Sequence, residues 1–133
     1  MCLIVNKKIT TAFRKSHKPS DTFTAYKVVL QYNDFHGSKV LRSYYQGYIY
    51  TPGVHVSENA ILNRKKRPFK KLKNRDLIYD GFHVYMTLKK ARCHTYIGNA
   101  VIIKVKCKVS NVIALSINNE AVLTSIEIKQ KDL

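Results

Sequence analysis

Asp80-Gly81-Phe82-His83-Val84-Tyr85-Met86-Thr87, followed by Leu88 to Tyr96, brings turn, strand and helix signals together in one short run. Gly81 marks a turn, and Phe82 to Met86 alternates as a short strand does. Thr87 is a competent N-cap, Leu88, Ala91 and Thr95 recur at helical spacing, and Gly98-Asn99 is a stop signal. The spacing therefore predicts a helix of about two and a half turns over 88–96. His83 and Tyr85, two apart in a strand, share a face of it.

Outward from this run the chain reads mostly as β. Downstream, Val101, Ile103, Val105, Cys107 and Val109 alternate with Lys104, Lys106 and Lys108. That is the pattern of a half-buried antiparallel strand. Val112 to Ile117, an Asn118-Asn119 turn and Ala121 to Ile128 predict a closing hairpin with Val122, Thr124, Ile126 and Ile128 inward. Upstream, Tyr26, Val28, Leu30 and Tyr32 alternate with Lys27, Val29 and Gln31. Turn residues at 33–38, a second strand from Val40 to Tyr45, and short extended pieces at 48–51 and 54–56 follow. The expectation is an α+β fold: a mainly antiparallel, strongly bent sheet or partial barrel with one short helix packed on it.

Two stretches resist this grammar. Residues 1–23 read as a basic N-terminal arm, weakly structured apart from a brief amphipathic turn at Ile9 to Phe13. Residues 57–80 read as a long basic surface loop. Within it, Arg64 to Arg75 holds eight cations in twelve residues with no acid, and Pro68 forbids a continuous regular element.

At 133 residues the chain fits one domain, and a 45% apolar share suits a folded one. Twenty-four Lys and Arg against eight Asp and Glu leave a net charge of +16. Such a charge draws polyanions, so nucleic acid, a nucleoprotein complex or an acidic protein surface is the expected partner. A compositional origin competes with this, because 18 of the 24 cations are Lys, as an AT-rich coding bias produces. Cys2, Cys93 and Cys107 have no paired spacing, which points to a reducing compartment and a cytoplasmic location. No signal-like segment or apolar run long enough for a membrane span occurs.

For nucleic-acid binding the candidates are Arg64, Lys65, Lys66, Arg67, Lys70, Lys71, Lys73 and Arg75, with Phe69 as a stacking surface. Lys104, Lys106 and Lys108 extend the set at a strand spacing of roughly 6.6–7 Å. Tyr44, Tyr48 and Tyr50 form either a stacking platform or ordinary sheet packing. His83 and Tyr85, at a strand-to-helix junction, are candidates for a general base or a phosphate contact, or are structural. Cys93, His94 and Cys107 lack zinc-ligand spacing, so no metal or cofactor is expected. Met1-Cys2 lacks the glycine that follows in amidotransferases with an N-terminal cysteine. No phosphate-loop, dinucleotide or serine-triad motif is present, and the chain leans away from being an enzyme.

The order Ala25-Tyr26-Lys27-Val28, Gly47-Tyr48-Ile49-Tyr50-Thr51-Pro52-Gly53-Val54, Gly81-Phe82-His83-Val84-Tyr85 and the valine-rich 101–109 resembles small phage and bacterial proteins of uncharacterised function. The resemblance spans roughly residues 25 to 128 and omits the basic arm and loop. It implies a compact α+β module in a phage or mobile-element setting, acting in the host cytoplasm, and it transfers no catalytic residue. The expected function is a non-enzymatic protein engaging nucleic acid or a nucleoprotein complex, such as a phage-encoded inhibitor of a host nuclease or defence system. A nucleotide or phosphate-ligand site at His83 and Tyr85, and a structural or assembly role, are the alternatives.

Overall fold

The computed structural model describes residues 3–43, 48–95 and 98–133. In chain order its elements are β1 (Leu3–Ile4), α1 (Lys7–Ser16), β2 (Thr22–Asn33), β3 (Lys39–Ser43), β4 (Ile49–Tyr50) and β5 (Gly53–Val56). They continue as α2 (Glu58–Lys66), β6 (Leu77–Ile78), β7 (Phe82–Tyr85), α3 (Leu88–Arg92), β8 (Ala100–Lys108), β9 (Val112–Leu115), β10 (Glu120–Leu123) and β11 (Ser125–Ile128). The protein is α+β, with every strand pairing among the described residues antiparallel.

The twelve residues of β2 form the spine of a nine-stranded sheet ordered β5-β11-β8-β2-β7-β10-β9, with β3 on β2 and β4 on β3. One edge of β2 pairs with β8 from Thr22↔Lys108 to Leu30↔Ala100. Its other edge is shared, meeting β7 at Tyr26↔Tyr85 and β3 from Val29↔Ser43 to Asn33↔Lys39. The strand path is open and does not close into a barrel.

Alternation on β8 is as its sequence predicts. Ile103, Val105 and Cys107 are buried, and Lys104, Lys106 and Lys108 are exposed. Ala25, Val29, Phe82, Val84, Ile126 and Ile128 join the buried face in the main core. A second cluster of Leu3, Val5, Ala60, Leu72, Ile113 and Val122 lies under α2. A third, Val28, Tyr85 and Ala91, lies under α3.

The structure corrects four expectations. The arm is not weakly structured, because 7–16 is a helix whose N-cap Asn6 accepts from the Ile9 N–H at 3.0 Å. Buried Thr10 ties it to β9, its Oγ1 accepting from the Leu115 N–H at 3.0 Å, while Ile9 and Phe13 pack on the core. Flanking lysines mask this helix in sequence; its stability comes from tertiary packing.

The 57–80 segment is also more than a loop. Ser57 caps α2 by accepting from the Ala60 N–H, and Arg64 to Lys66 occupy the last turn, where cations suit the helix dipole. Pro68 does end the helix, and a 3-10 turn at Phe69–Lys71 leads to the buried anchor Leu72. Among the described residues there are thus three α-helices, not one.

The expected 88–96 helix is only five residues long. The Cys93 N–H meets the carbonyls of Lys89 and Lys90, tightening the last turn and closing the helix early. Finally, Ala121 to Ile128 is not one hairpin arm. β10 pairs with β9 and β7, then the chain passes Thr124 and β11 pairs with β5 and β8 at the other end of the path. Val122, Thr124, Ile126 and Ile128 are all buried, but Val122 belongs to the second cluster and Ile126 and Ile128 to the main one.

Candidate functional site

The side of α1 meets the end of α2. Arg14 lies over the Phe69 ring, its guanidinium carbon 4.4 Å from the centroid, and Lys7 Nζ is 5.8 Å from the same ring. Cation and ring attract through the ring's quadrupole, which fixes Arg14 in place. Arg14, Arg64, Lys65 and Lys70 line a cleft of about 600 Å³ whose apolar lining comes from Ile61, Pro68 and Phe69. No acidic residue lines it. The half-buried Arg64 donates to the Ser110 carbonyl at 2.8 Å, a neutral partner. Burial first, then the like charge of Arg14, disfavours its protonated form. Positive charge is therefore concentrated here against its own repulsion, the condition in which an anion is held best.

The lysines of β8 continue this surface. Lys106 and Lys108 line a second cleft of about 380 Å³ with Val54, Ile126 and Glu127. Lys104 and Lys106 line a third of about 510 Å³ with Phe23, Tyr26, Lys129, Lys131 and Asp132. The three adjoin. Asn111 lines the first and second, and Thr22 and Lys106 line the second and third. Along this track nine cations face two carboxylates, Glu127 and Asp132.

Only part of the basic segment contributes to it. Arg64, Lys65, Lys70 and Phe69 are brought together, while Lys66 and Arg67 line, with Asp80, a further cleft of about 320 Å³ that shares Arg64 with the first. Arg67 pairs with Asp76, whose carboxylate also accepts from the Lys73 N–H. That backbone bond, followed by the Arg67 charge, lowers the Asp76 pKa. Lys71, Lys73 and Arg75 are exposed away from the track's lining, and Arg75 adopts a left-handed φ of 70° while its N–H donates to Val5. Arg14 covers one face of the Phe69 ring, which still lines the cleft. Lys89, Lys90 and Arg92 put further charge on α3, outside the track.

His83 and Tyr85 form no comparable site. Neither lines any of these four clefts. Tyr85 is buried and stacked on His94 at 4.7 Å. His83 Nε2 approaches the Tyr79 carbonyl at 3.4 Å, and Nδ1 is buried without a partner. Burial, then the charge of Lys27, lowers the His83 pKa to about 4, so the ring is neutral at pH 7. The ring is partly buried, with Nδ1 inside and Nε2 toward the Tyr79 carbonyl.

Of the tyrosine cluster, 44–47 lies outside the described residues. Tyr50 is buried, and the Tyr48 hydroxyl donates to His55 Nδ1 at 2.8 Å while His55 Nε2 donates to the Thr51 carbonyl at 2.7 Å. Tyr50 and His55 pack with Phe82 in the interior, while Tyr48 reaches the same cluster from an exposed position. Among the described residues no three His, Cys, Asp or Glu side chains converge as a metal site. Among them, too, no helix is long and apolar enough to cross a membrane.

Arg14, Lys129 and Lys131 are track residues that sequence reasoning missed. For Arg14 the available signal was Asn6 as a cap followed by Ile9 and Phe13 at helical spacing, which puts Arg14 beside Phe13 on the rim. For Lys129 and Lys131 it was the alternation of 126–128 continuing outward. No protein-family model, curated protein or solved structure matches this chain.

Proposed function

We propose that this protein is a non-enzymatic binding protein that engages nucleic acid, free or within a nucleoprotein complex, through the linked clefts between α1, α2 and β8. The observation that carries this is their continuity: a string of cations, nearly free of carboxylates, set along apolar surface. Phosphates supply affinity to such a surface without requiring any reacting group. The packing of His83 and Tyr85 gives no support to a catalytic centre there.

Fluorescence anisotropy with labelled oligonucleotides tests the reading. Charge reversal at Lys65 and Lys70, both exposed, should weaken binding tenfold or more and leave the melting temperature unchanged. Unaltered affinity in that variant, or no binding by the parent protein at low salt, would overturn it. Binding to an acidic protein with no affinity for oligonucleotides would overturn it as well.

A further inference from the structure

We infer, resting on the nucleic-acid reading above, that the track takes a single-stranded polynucleotide and discriminates against duplex. Each cleft mixes cations with apolar or aromatic surface: Pro68 and Phe69 in the first, Val54 in the second, Phe23 and Tyr26 in the third. A duplex displays phosphate and sugar and hides the faces of its bases, so it would leave that surface unmatched. A single strand presents unstacked bases, which lie on aromatic rings and on guanidinium planes. Arg14 supplies such a plane, held over Phe69 and lining the cleft.

Size agrees, and the spacing suits a phosphate backbone. Volumes of about 600 and 510 Å³ suit one nucleotide each and are far too small to seat a double helix. Along β8, lysines recur about every 6.6–6.8 Å. This is twice the ~3.4 Å axial step of phosphates along one strand of a duplex. That stride fits alternate phosphates of a stacked strand as well as successive phosphates of an extended one. The selectivity therefore rests on the apolar and aromatic surface of the clefts.

The test uses the full chain at one salt concentration with four probes: a short labelled single-stranded DNA, the same sequence as RNA, its duplex, and inorganic polyphosphate as a competitor that has charge but no bases. At least one of the two single strands should bind tenfold or more tighter than duplex. Polyphosphate should displace it only at tenfold or more higher phosphate concentration. Duplex binding within tenfold of the better single strand, or polyphosphate competing on equal terms, would overturn single-strand selectivity while leaving nucleic-acid binding intact. Absence of binding to both strands and to duplex would overturn the two together.

Discussion

Lys27 Nζ donates a 2.8 Å hydrogen bond to the carbonyl oxygen of His83, beside the point where β2 exchanges β7 for β3 as its neighbour. The paired stretch between β2 and β7 is a single residue pair, and the ammonium supplies a donor just beyond it. Lys27 is buried, lies 5.4 Å from the Tyr50 ring centroid, and has its pKa lowered to about 8 by desolvation. An isolated buried charge is costly, so at neutral pH this one is held by the carbonyl and the ring together.

That cost should be visible in alkaline solution. Between pH 8 and 10.5 the unfolded Lys27 binds more protons than the folded one, so its contribution rises with pH. Relative to Lys27→Met, the parent protein should gain about 1 kcal/mol of stability from pH 8 to 9 in urea titrations. Above pH 9 the buried Cys107 thiol, raised to about 12, acts in the opposite sense, so the comparison is made below it. Parallel stability curves for the two proteins would contradict the assignment.

His83 should give the molecule acid sensitivity. Its folded pKa of about 4 lies below the ordinary 6.5, so the stability it confers is fully present above pH 6.5 and is lost as pH falls toward 4. The loss amounts to about 3 kcal/mol. His83→Gln should flatten denaturation midpoints across that window, and an unchanged pH profile would count against it.

Gly81 has no room for a side chain. At φ +117° an added Cβ would sit 2.8 Å from both the Leu123 carbonyl oxygen and Val122 Cγ2. Gly81→Ala should destabilise by about 2–4 kcal/mol in chemical denaturation. A neutral substitution would mean that β7 and β10 are packed less closely than described.

Leu72 anchors the basic segment from within, 2% exposed among Leu3, Val5 and Ala60. Leu72→Ala should cost about 2–5 kcal/mol. It should also speed tryptic cleavage between 64 and 75, read by mass spectrometry of the digest; unchanged cleavage would show that the segment is held by other contacts.

The salt dependence of oligonucleotide binding gives a count of the contacts involved. Lys65→Gln with Lys70→Gln should reduce the slope of log K against log salt by about 1.4 for a single strand, or about 0.7 per contact. An unchanged slope would remove these two lysines from the interface.

Much of this architecture was legible in sequence where hydrophobic alternation is strict. β8 shows it best, with Val105 and Cys107 inward and Lys104, Lys106 and Lys108 outward. Strand existence and the antiparallel sheet followed from such patterns. The helices of the arm and of the basic segment did not, because Thr10 and Ala60 give little hydrophobic signal, yet both are buried by distant partners. The break at Thr124 was equally hidden, since a strand that changes neighbours keeps its alternation. For the candidate site, charge identified Arg64, Lys65 and Lys70, but only the fold separates them from Arg67, which Asp76 engages, and adds Arg14.

The passage of the chain through Thr124 has a kinetic consequence. β10 reaches back to β7 and β11 reaches back to β5, so the last strands in sequence join segments that are remote along the chain. Loop-closure entropy must be met before these contacts form, which places folding on the order of milliseconds to seconds. Until then β5 and β7 lack these partners, and it is in that interval, rather than in the native state, that the protein is most exposed to edge-to-edge aggregation.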